Sequence, residues 1–310
     1  MTAKFLPEGR LINSLQNKSV FSGISAVKDA MNRGTVVEAR AELCDREHDL
    51  HLDLGVMKGI IPRNEGAMGI EDGSVRDIAL ISRVGKPVCF VITDIRKNAE
   101  GRYYAVLSRR KAQEMCKAEY TDRLMPGDII DVRVTRIESF GVFCDIGAGI
   151  SALMPIDAIS VSRIPHPSAR FFTGQDIKAV VSGKDSDGRI TLSHKELLGT
   201  WKQNADMFSV GETVPGIIRT VENYGVFVEL TPNLAGLAEY SPDVKEGEYA
   251  AVYIKNIIPE RMKVKLVIVD HCAEKQKLPG ENYFIPENRI DVFRYSPEEC
   301  PRIVETRFDS

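Results

Sequence analysis

The strongest constraint on this chain is a phrase that it repeats. Phe140-Gly141-Val142-Phe143-Cys144-Asp145 returns as Tyr224-Gly225-Val226-Phe227-Val228-Glu229. Both copies run aromatic, glycine, valine, phenylalanine, small residue, acid. Gly127-Asp128 and Gly211-Glu212 stand upstream, Ala152-Leu153 and Gly236-Leu237 downstream, and every match is offset by 84 residues. A register held without a gap over this much chain is an internal repeat, so the fold must be assembled from copies of one unit.

The phrase has a mechanical consequence. In a regular strand Phe140 and Phe143, three residues apart, would point to opposite faces. The glycine between them predicts a β-bulge at Gly141 that resets the alternation. Both rings then share the outer face while Val142 and Cys144 turn inward, and Tyr224, Gly225 and Phe227 repeat the device. Two exposed rings on one face suit unpaired bases, because every base has a π-face and each stack contributes about 1–3 kcal/mol. Core aromatics around a sheet corner are the alternative reading of the same residues.

Composition narrows the partners. At 310 residues the chain has room for two to three domains, and 43% hydrophobic residues suffice for real cores. Net charge is −3 with pI near 6.0, which excludes attachment to nucleic acid by bulk charge; a polyanion site must be a local patch. No apolar run approaches the ~20 residues of a membrane span, and residues 1–17 lack the apolar stretch of a signal peptide. The six cysteines are scattered without a CxxC pair, the usage of free cytosolic thiols, so a cytoplasmic location without membrane attachment is expected.

Strand and turn signals extend the repeat. Gly34-Thr35-Val36-Val37 opens a diverged third copy whose second strand, Leu50-His51-Leu52-Asp53-Leu54, alternates cleanly. Its ring positions align with His48 and His51, its glycine with Asp49, and it carries an insertion over 65–82. The fold class expected is all-β modules with helical connectors: three tandem five-stranded barrels at 34–111, 126–195 and 210–270. Each has five short strands and one long connection, the pattern of a small closed Greek-key barrel of the OB type. An N-terminal arm, 1–33, should carry one helix over 20–32. Helical connectors are expected near 110–124 and 194–208. The C-terminal extension, 271–310, offers one more strand at 290–295. Cys44, His48, His51 and Asp53 have metal-ligating side chains, but their spacing fits no closed zinc pattern, and a solvated strand face explains them better. No metal or other cofactor is expected.

At this point the residues carry a resemblance. Gly127 to Val134, Phe140-Gly141-Val142-Phe143, Ala152-Leu153-Met154, Gly174-Gln175, and Asp185 through Arg189 to Leu192-Ser193 together resemble an S1 RNA-binding domain. The third module is similar through Val210-Gly211, Tyr224-Gly225-Val226-Phe227, Gly236-Leu237-Ala238 and Lys263-Val264-Lys265-Leu266. Three such modules in series are most similar to a short, three-domain relative of bacterial ribosomal protein S1. The resemblance implies single-stranded RNA on one barrel face, held by two aromatics, a histidine, and an acid and a base on the late strands. In the second module it points to Phe140, Phe143, Asp185 and Arg189, with Pro155 where the histidine would stand. In the third it points to Tyr224, Phe227 and Lys263, with Glu239 at the histidine position and Pro259 at the acid position.

Glu239 would face phosphate, and charge counts agree in ranking the second module above the third. Residues 126–195 carry eight basic and eight acidic side chains, residues 210–270 six and nine. The few cations expected to help in the second module are Arg189, Lys178, Lys184 and Arg133. The function expected is therefore non-catalytic binding of single-stranded RNA, mRNA first among candidates, linked to translation through mRNA or the ribosome. Family members also accompany catalytic domains in RNA-degrading enzymes, but the chain has no G-x-x-x-x-G-K-[ST], H-E-x-x-H or G-x-S-x-G motif. The alternative is a scaffold or an RNA-decay or transcription accessory factor whose barrels dock on an RNA-processing complex. The first module, without its rings, fits that role.

Overall fold

Alternating burial along short β-branched runs closes three barrels, and the computed structural model describes residues 5–273, 283–284 and 288–308 of the chain. Two helices, α1 (Leu15–Val20) and α2 (Ile24–Arg33), precede the first barrel. That barrel is built from β1 (Val37–Cys44), β2 (Leu50–Asp53), β3 (Lys58–Ile61), β4 (Pro87–Lys97) and β5 (Tyr103–Ser108), with a short α3 (Ile78–Ile81) in the insertion. After α4 (Arg109–Glu119) come β6 (Ile129–Glu138), β7 (Gly141–Asp145), β8 (Ser151–Pro155), β9 (Asp176–Lys184) and β10 (Ile190–Ser193). After α5 (Trp201–Ala205) come β11 (Thr213–Glu222), β12 (Gly225–Thr231), β13 (Leu234–Ala238), β14 (Tyr249–Ile258) and β15 (Lys263–Cys272).

All three barrels share one connectivity. The strand order is β1-β2-β3-β5-β4, then β6-β7-β8-β10-β9, then β11-β12-β13-β15-β14, with the third and fifth strands parallel in each. This is the expected Greek-key closure. Leu50, Leu52, Ile61, Phe90 and Leu107 fill the first barrel; Ile218, Val226, Val228, Val252, Ile254, Val264 and Leu266 fill the third. In the second, Val142, Cys144, Met154, Ala179, Val181 and Leu192 are buried. Among the described residues no helix is long and apolar enough to cross a membrane.

The glycine in the repeated phrase works differently from the bulge expected of it. Along β12 the pairing with β13 runs unbroken from Val226 to Glu229, opposite Ala238 to Ala235. The irregularity lies on the facing strand, between Ile218 and Thr220 of β11. Glycine is required by a close approach: a Cβ on Gly141 would lie 2.3 Å from the Met154 carbonyl oxygen, and one on Gly225 2.5 Å from that of Ala238. The rings share a face because Phe140 and Tyr224 sit in the turns before β7 and β12, where strand alternation does not apply. Val142, Cys144, Val226 and Val228 do turn inward, all fully buried.

The segments outside the barrels are more structured than the sequence suggests. The expected helix at 20–32 is α2, which starts only at Ile24, where the Gly23 carbonyl accepts Val27 N–H; the additional α1 lies before it, in a stretch with little sequence pattern. The expected arm is a strap in its described part. Glu38 Oε2 accepts the N–H groups of Gly9, Leu11 and Ile12 at 2.9–3.1 Å, and Asp145 Oδ2 accepts Glu8 N–H at 2.8 Å. The Glu8 carboxylate is itself buried on Arg109 (2.7 and 3.1 Å) and Arg83 (2.9 Å). Burial opposes ionisation of Glu8, but the two guanidiniums outweigh it and hold its carboxyl below the usual range. Burial first, then the charge of Glu8, pushes Glu38 up to about 7 and pushes Asp145 up as well. Of the extension 271–310, residues 274–282, 285–287 and 309–310 lie outside the described residues, as do 1–4 of the arm. The strand expected at 290–295 is the shorter β16 (Val292–Arg294), which pairs with β17 (Glu305–Arg307) as a ribbon of its own. Ile290, Phe293 and Phe308 pack with Val180 and Leu197.

The acid that closes the third-barrel phrase is buried as well. Glu229 is 2% exposed and meets Arg219 of β11 in a two-point pair at 2.8 and 3.0 Å. Arg170, from the long connection of the second barrel, adds a third bond at 2.6 Å. Burial would raise its pKa, but Arg219 and Arg170 prevail and hold the carboxyl below its usual range. His194, at the end of the second barrel, is fully buried against Phe171, and burial pushes its pKa down to about 4.

Four outcomes are expected. Gly141→Ala should cost about 1–3 kcal/mol in urea unfolding, since a backbone oxygen must give way. Gly183→Ala, with open space around its Cβ, should be near neutral. Glu229→Ala should cost about 3–5 kcal/mol by leaving two buried guanidiniums unpaired, measured the same way. Because His194 is depressed from 6.5 to about 4, its contribution is complete above pH 6.5 and declines as pH falls towards 4. On the order of 3 kcal/mol should be lost across that window, and stability measured against pH should flatten there in His194→Gln.

Candidate nucleic-acid interface

Each repeated phrase places two rings side by side. Phe140 is 54% exposed, and its centroid lies 6.1 Å from that of the half-buried Phe143, with the ring planes at 89°. Tyr224 is 68% exposed and lies 6.2 Å from Phe227 at 86°. The near-identity of the pairs follows from the shared hairpin: a turn residue, a glycine too close to its neighbour strand to carry a Cβ, and an outward strand position two residues later. Edge-to-face contact fixes one ring against the other and leaves ring surface open to solvent. These are outer-surface aromatics, so the core-corner alternative is set aside.

The predicted charged residues are placed less closely together. Asp185 Oδ1 accepts the N–H groups of Asp187 (2.9 Å) and Arg189 (2.8 Å), closing the turn between β9 and β10. Arg189 reaches Asp187 at 3.4 Å and is 78% exposed, available to a ligand but not held against the rings. Lys263 is exposed at the start of β15, opposite Ile258. Arg133 is not an available cation: its Nη1 donates to the Glu8 carbonyl at 3.0 Å.

Two cations escaped the sequence reading. Arg136 of β6 places its guanidinium carbon 4.3 Å from the Phe143 centroid. Lys265 stands in one cross-strand row with Phe227, because Phe227 pairs with Leu237 and Leu237 with Lys265. The corresponding row of the second barrel ends instead on Thr191, opposite Leu153. Period-two alternation could have found Lys265, since Lys263 and Lys265 are exposed while Val264 and Leu266 are buried. No local pattern marks Arg136, whose position depends on the facing hairpin strand.

The first barrel keeps the register but not the surface. His51 pairs with Leu43, as Phe227 does with Thr220, so it occupies the ring position. Its Nε2 lies 2.7 Å from Asp45 Oδ2, and that bond holds Asp45 below the usual carboxylate range. Asp49, in place of the glycine, accepts Arg63 N–H at 2.7 Å, and His48 takes a left-handed φ of 66° beside it. From the insertion, Asp77 bonds Arg63 Nε at 2.6 Å and lies 3.8 Å from His48 Nε2. This face is a polar network with three carboxylates, Asp45, Asp49 and Asp77, where the other barrels have rings. Asp53 is bonded to Lys58 at 2.9 Å, and among the described residues no cluster of His, Cys, Asp and Glu has an arrangement able to hold a metal ion.

The family profile described as "S1 RNA binding domain" matches residues 123–195, the second barrel. The small ribosomal subunit protein bS1 homolog of Bacillus subtilis is 30% identical over 298 residues, covering 94% of this chain and 67% of its own length. The homolog from Bacillus cereus is 30% identical over 283 residues, 87% of this chain and 66% of its own. The small ribosomal subunit protein bS1 of Mycobacterium tuberculosis H37Rv is 31% identical over 281 residues, 84% of this chain and 55% of its own. The chain thus spans about two thirds of the Bacillus relatives and about half of the mycobacterial one. Three barrels of one connectivity, two of them with the same ring hairpin, account for a similarity that runs through nearly the whole chain, which belongs to the S1-domain family of the bS1 proteins.

Proposed function

We propose that the chain binds single-stranded RNA, without catalysing a reaction, by stacking bases on Phe140 and Phe143 and on Tyr224 and Phe227, and that it serves translation through mRNA or the ribosome. The observation that carries this reading is the matched pair of exposed edge-to-face ring sites, at 6.1 and 6.2 Å, on two barrels of one chain. The binding modules are taken as 126–195 and 210–270. Arg189, in the turn before the last strand of the first of these, and Lys263 with Lys265 on the last strand of the second, can meet flanking phosphates; Asp185 acts by shaping the turn that carries Arg189. The names of the relatives, small ribosomal subunit proteins, and of the matching family, an RNA binding domain, support both the ligand class and the link to translation. Lys265 brings the third module closer to the second than charge counts suggest.

The module at 34–111 has a separate role in this reading. Its ring face is a network in which Asp45, Asp49 and Asp77 bond His51 and Arg63 and no ring is presented for stacking, while Ile78 and Ile81 of α3 are 64% and 43% exposed on the insertion. That surface favours docking on a protein of the ribosome or of an RNA-processing complex.

Phe140→Ala and Phe143→Ala should each weaken binding of a fluorescent single-stranded oligonucleotide by about 1–3 kcal/mol with the fold retained, and His51→Ala by much less. With two to four phosphate contacts, the slope of log affinity against log salt should be roughly −1.5 to −3. The annealed duplex, whose bases are already stacked, should bind far more weakly. Equal affinity for the duplex, or a much steeper slope, would assign the affinity to phosphate contacts and leave the rings a structural role.

A further inference from the structure

The second barrel differs from the third in one respect that the shared hairpin does not require: the Phe143 ring is covered. Arg136 lies with its guanidinium carbon 4.3 Å from the ring centroid, and its Nε is 3.2 Å from Glu138 Oε1. The residue 84 positions on is Thr220, which pairs with Phe227 and is too short to cover it. A base and a guanidinium cannot occupy the same place over Phe143. Resting on the stacking reading above, we propose that Arg136 is a removable cover. It takes the Phe143 position in the free protein, yields it to a base, and moves onto the adjacent phosphate.

Three physical points support the exchange. An exposed cation–π contact is weaker than the stack of a base on an aromatic ring, so replacing one by the other is favourable. Arg136 is exposed and its partner Glu138 is partly so, making this a surface pair of small net stability that does not lock the side chain in place. The guanidinium has five donors in a planar fork, so it can take up a phosphate oxygen as it leaves the ring. The cover also separates the barrels functionally: binding to the second pairs each base stacked on Phe143 with a cation delivered to the backbone, whereas at Phe227 the matching residue, Thr220, brings no cation.

The test is the salt dependence of affinity for a labelled single-stranded oligouridylate. The full chain carries Phe227→Ala throughout, so that the second barrel dominates. Arg136→Gln should lose one phosphate contact, making the slope of log affinity against log salt shallower by about 0.7. Between 50 mM and 0.5 M salt the variant should therefore lose roughly fivefold less affinity than its parent. It should bind more weakly at the low end and as tightly or more tightly at the high end, because the face is already open. Arg136→Lys, which keeps the charge, should retain the parental slope. An unchanged slope in Arg136→Gln, or weakening by the same factor at every salt concentration, would overturn the cover. If Phe143→Ala still binds less well, the stacking reading survives that result. If Phe143→Ala has no effect, the stacking reading itself falls, and the cover falls with it.

Discussion

The buried acid at the end of each ring phrase is the constraint from which the rest of the surface follows. Asp145 and Glu229 lie two residues beyond Phe143 and Phe227, so the strand period puts acid and ring on the same outer face. A carboxylate on an outer face would normally be solvated. Here both are covered, Glu229 by Arg219 and Arg170, and Asp145 by the backbone N–H groups of Glu8, Gly147 and Gly149. A buried carboxylate is tolerated only when such partners satisfy it. The outer face is thereby divided along one strand: the acid end is closed by packing, and the ring end stays open to solvent.

The first barrel shows what happens when the ring end is not kept. Asp49 replaces the glycine and uses its side chain to bond Arg63 N–H, where the other barrels bring two backbones into near contact. His48 then adopts a left-handed backbone, and the insertion supplies Asp77 to the same surface. The barrel core is unaffected, because Leu50 and Leu52 still point inward. A common interior therefore supports a face of rings or a face of carboxylates, and the electrostatics of that face divide a candidate RNA module from a candidate docking module.

The second and third barrels divide more finely. Their rings superpose in kind, but Arg136 stands on the first-strand side of Phe143 and Lys265 on the late-strand side of Phe227. Counting charges along the sequence ranked the modules by net balance. In the folded chain Arg170 and Arg219 share the one buried carboxylate of Glu229, so these three charges are spent on one another's packing and none stands on the exposed ring face. What remains is set by which cations stand beside rings.

The sequence alone determined the repeat and the barrel class, because these depend on local alternation and on an 84-residue register that any copy must obey; it also placed the ring pairs outward, although by a bulge where the structure uses a turn. It misassigned the glycine, whose role is a contact with the next strand and not a bulge in its own. It also read the N-terminal residues only as an arm, since nothing near Glu8 in sequence announces Arg109, Arg83 or Asp145. Tertiary structure alone decided that the acids are buried, that Arg133 is spent on a carbonyl, and that Arg136 covers Phe143. The reason is physical: burial, ion pairing and ring coverage depend on side chains brought together from distant strands, and linear spacing carries no record of that encounter.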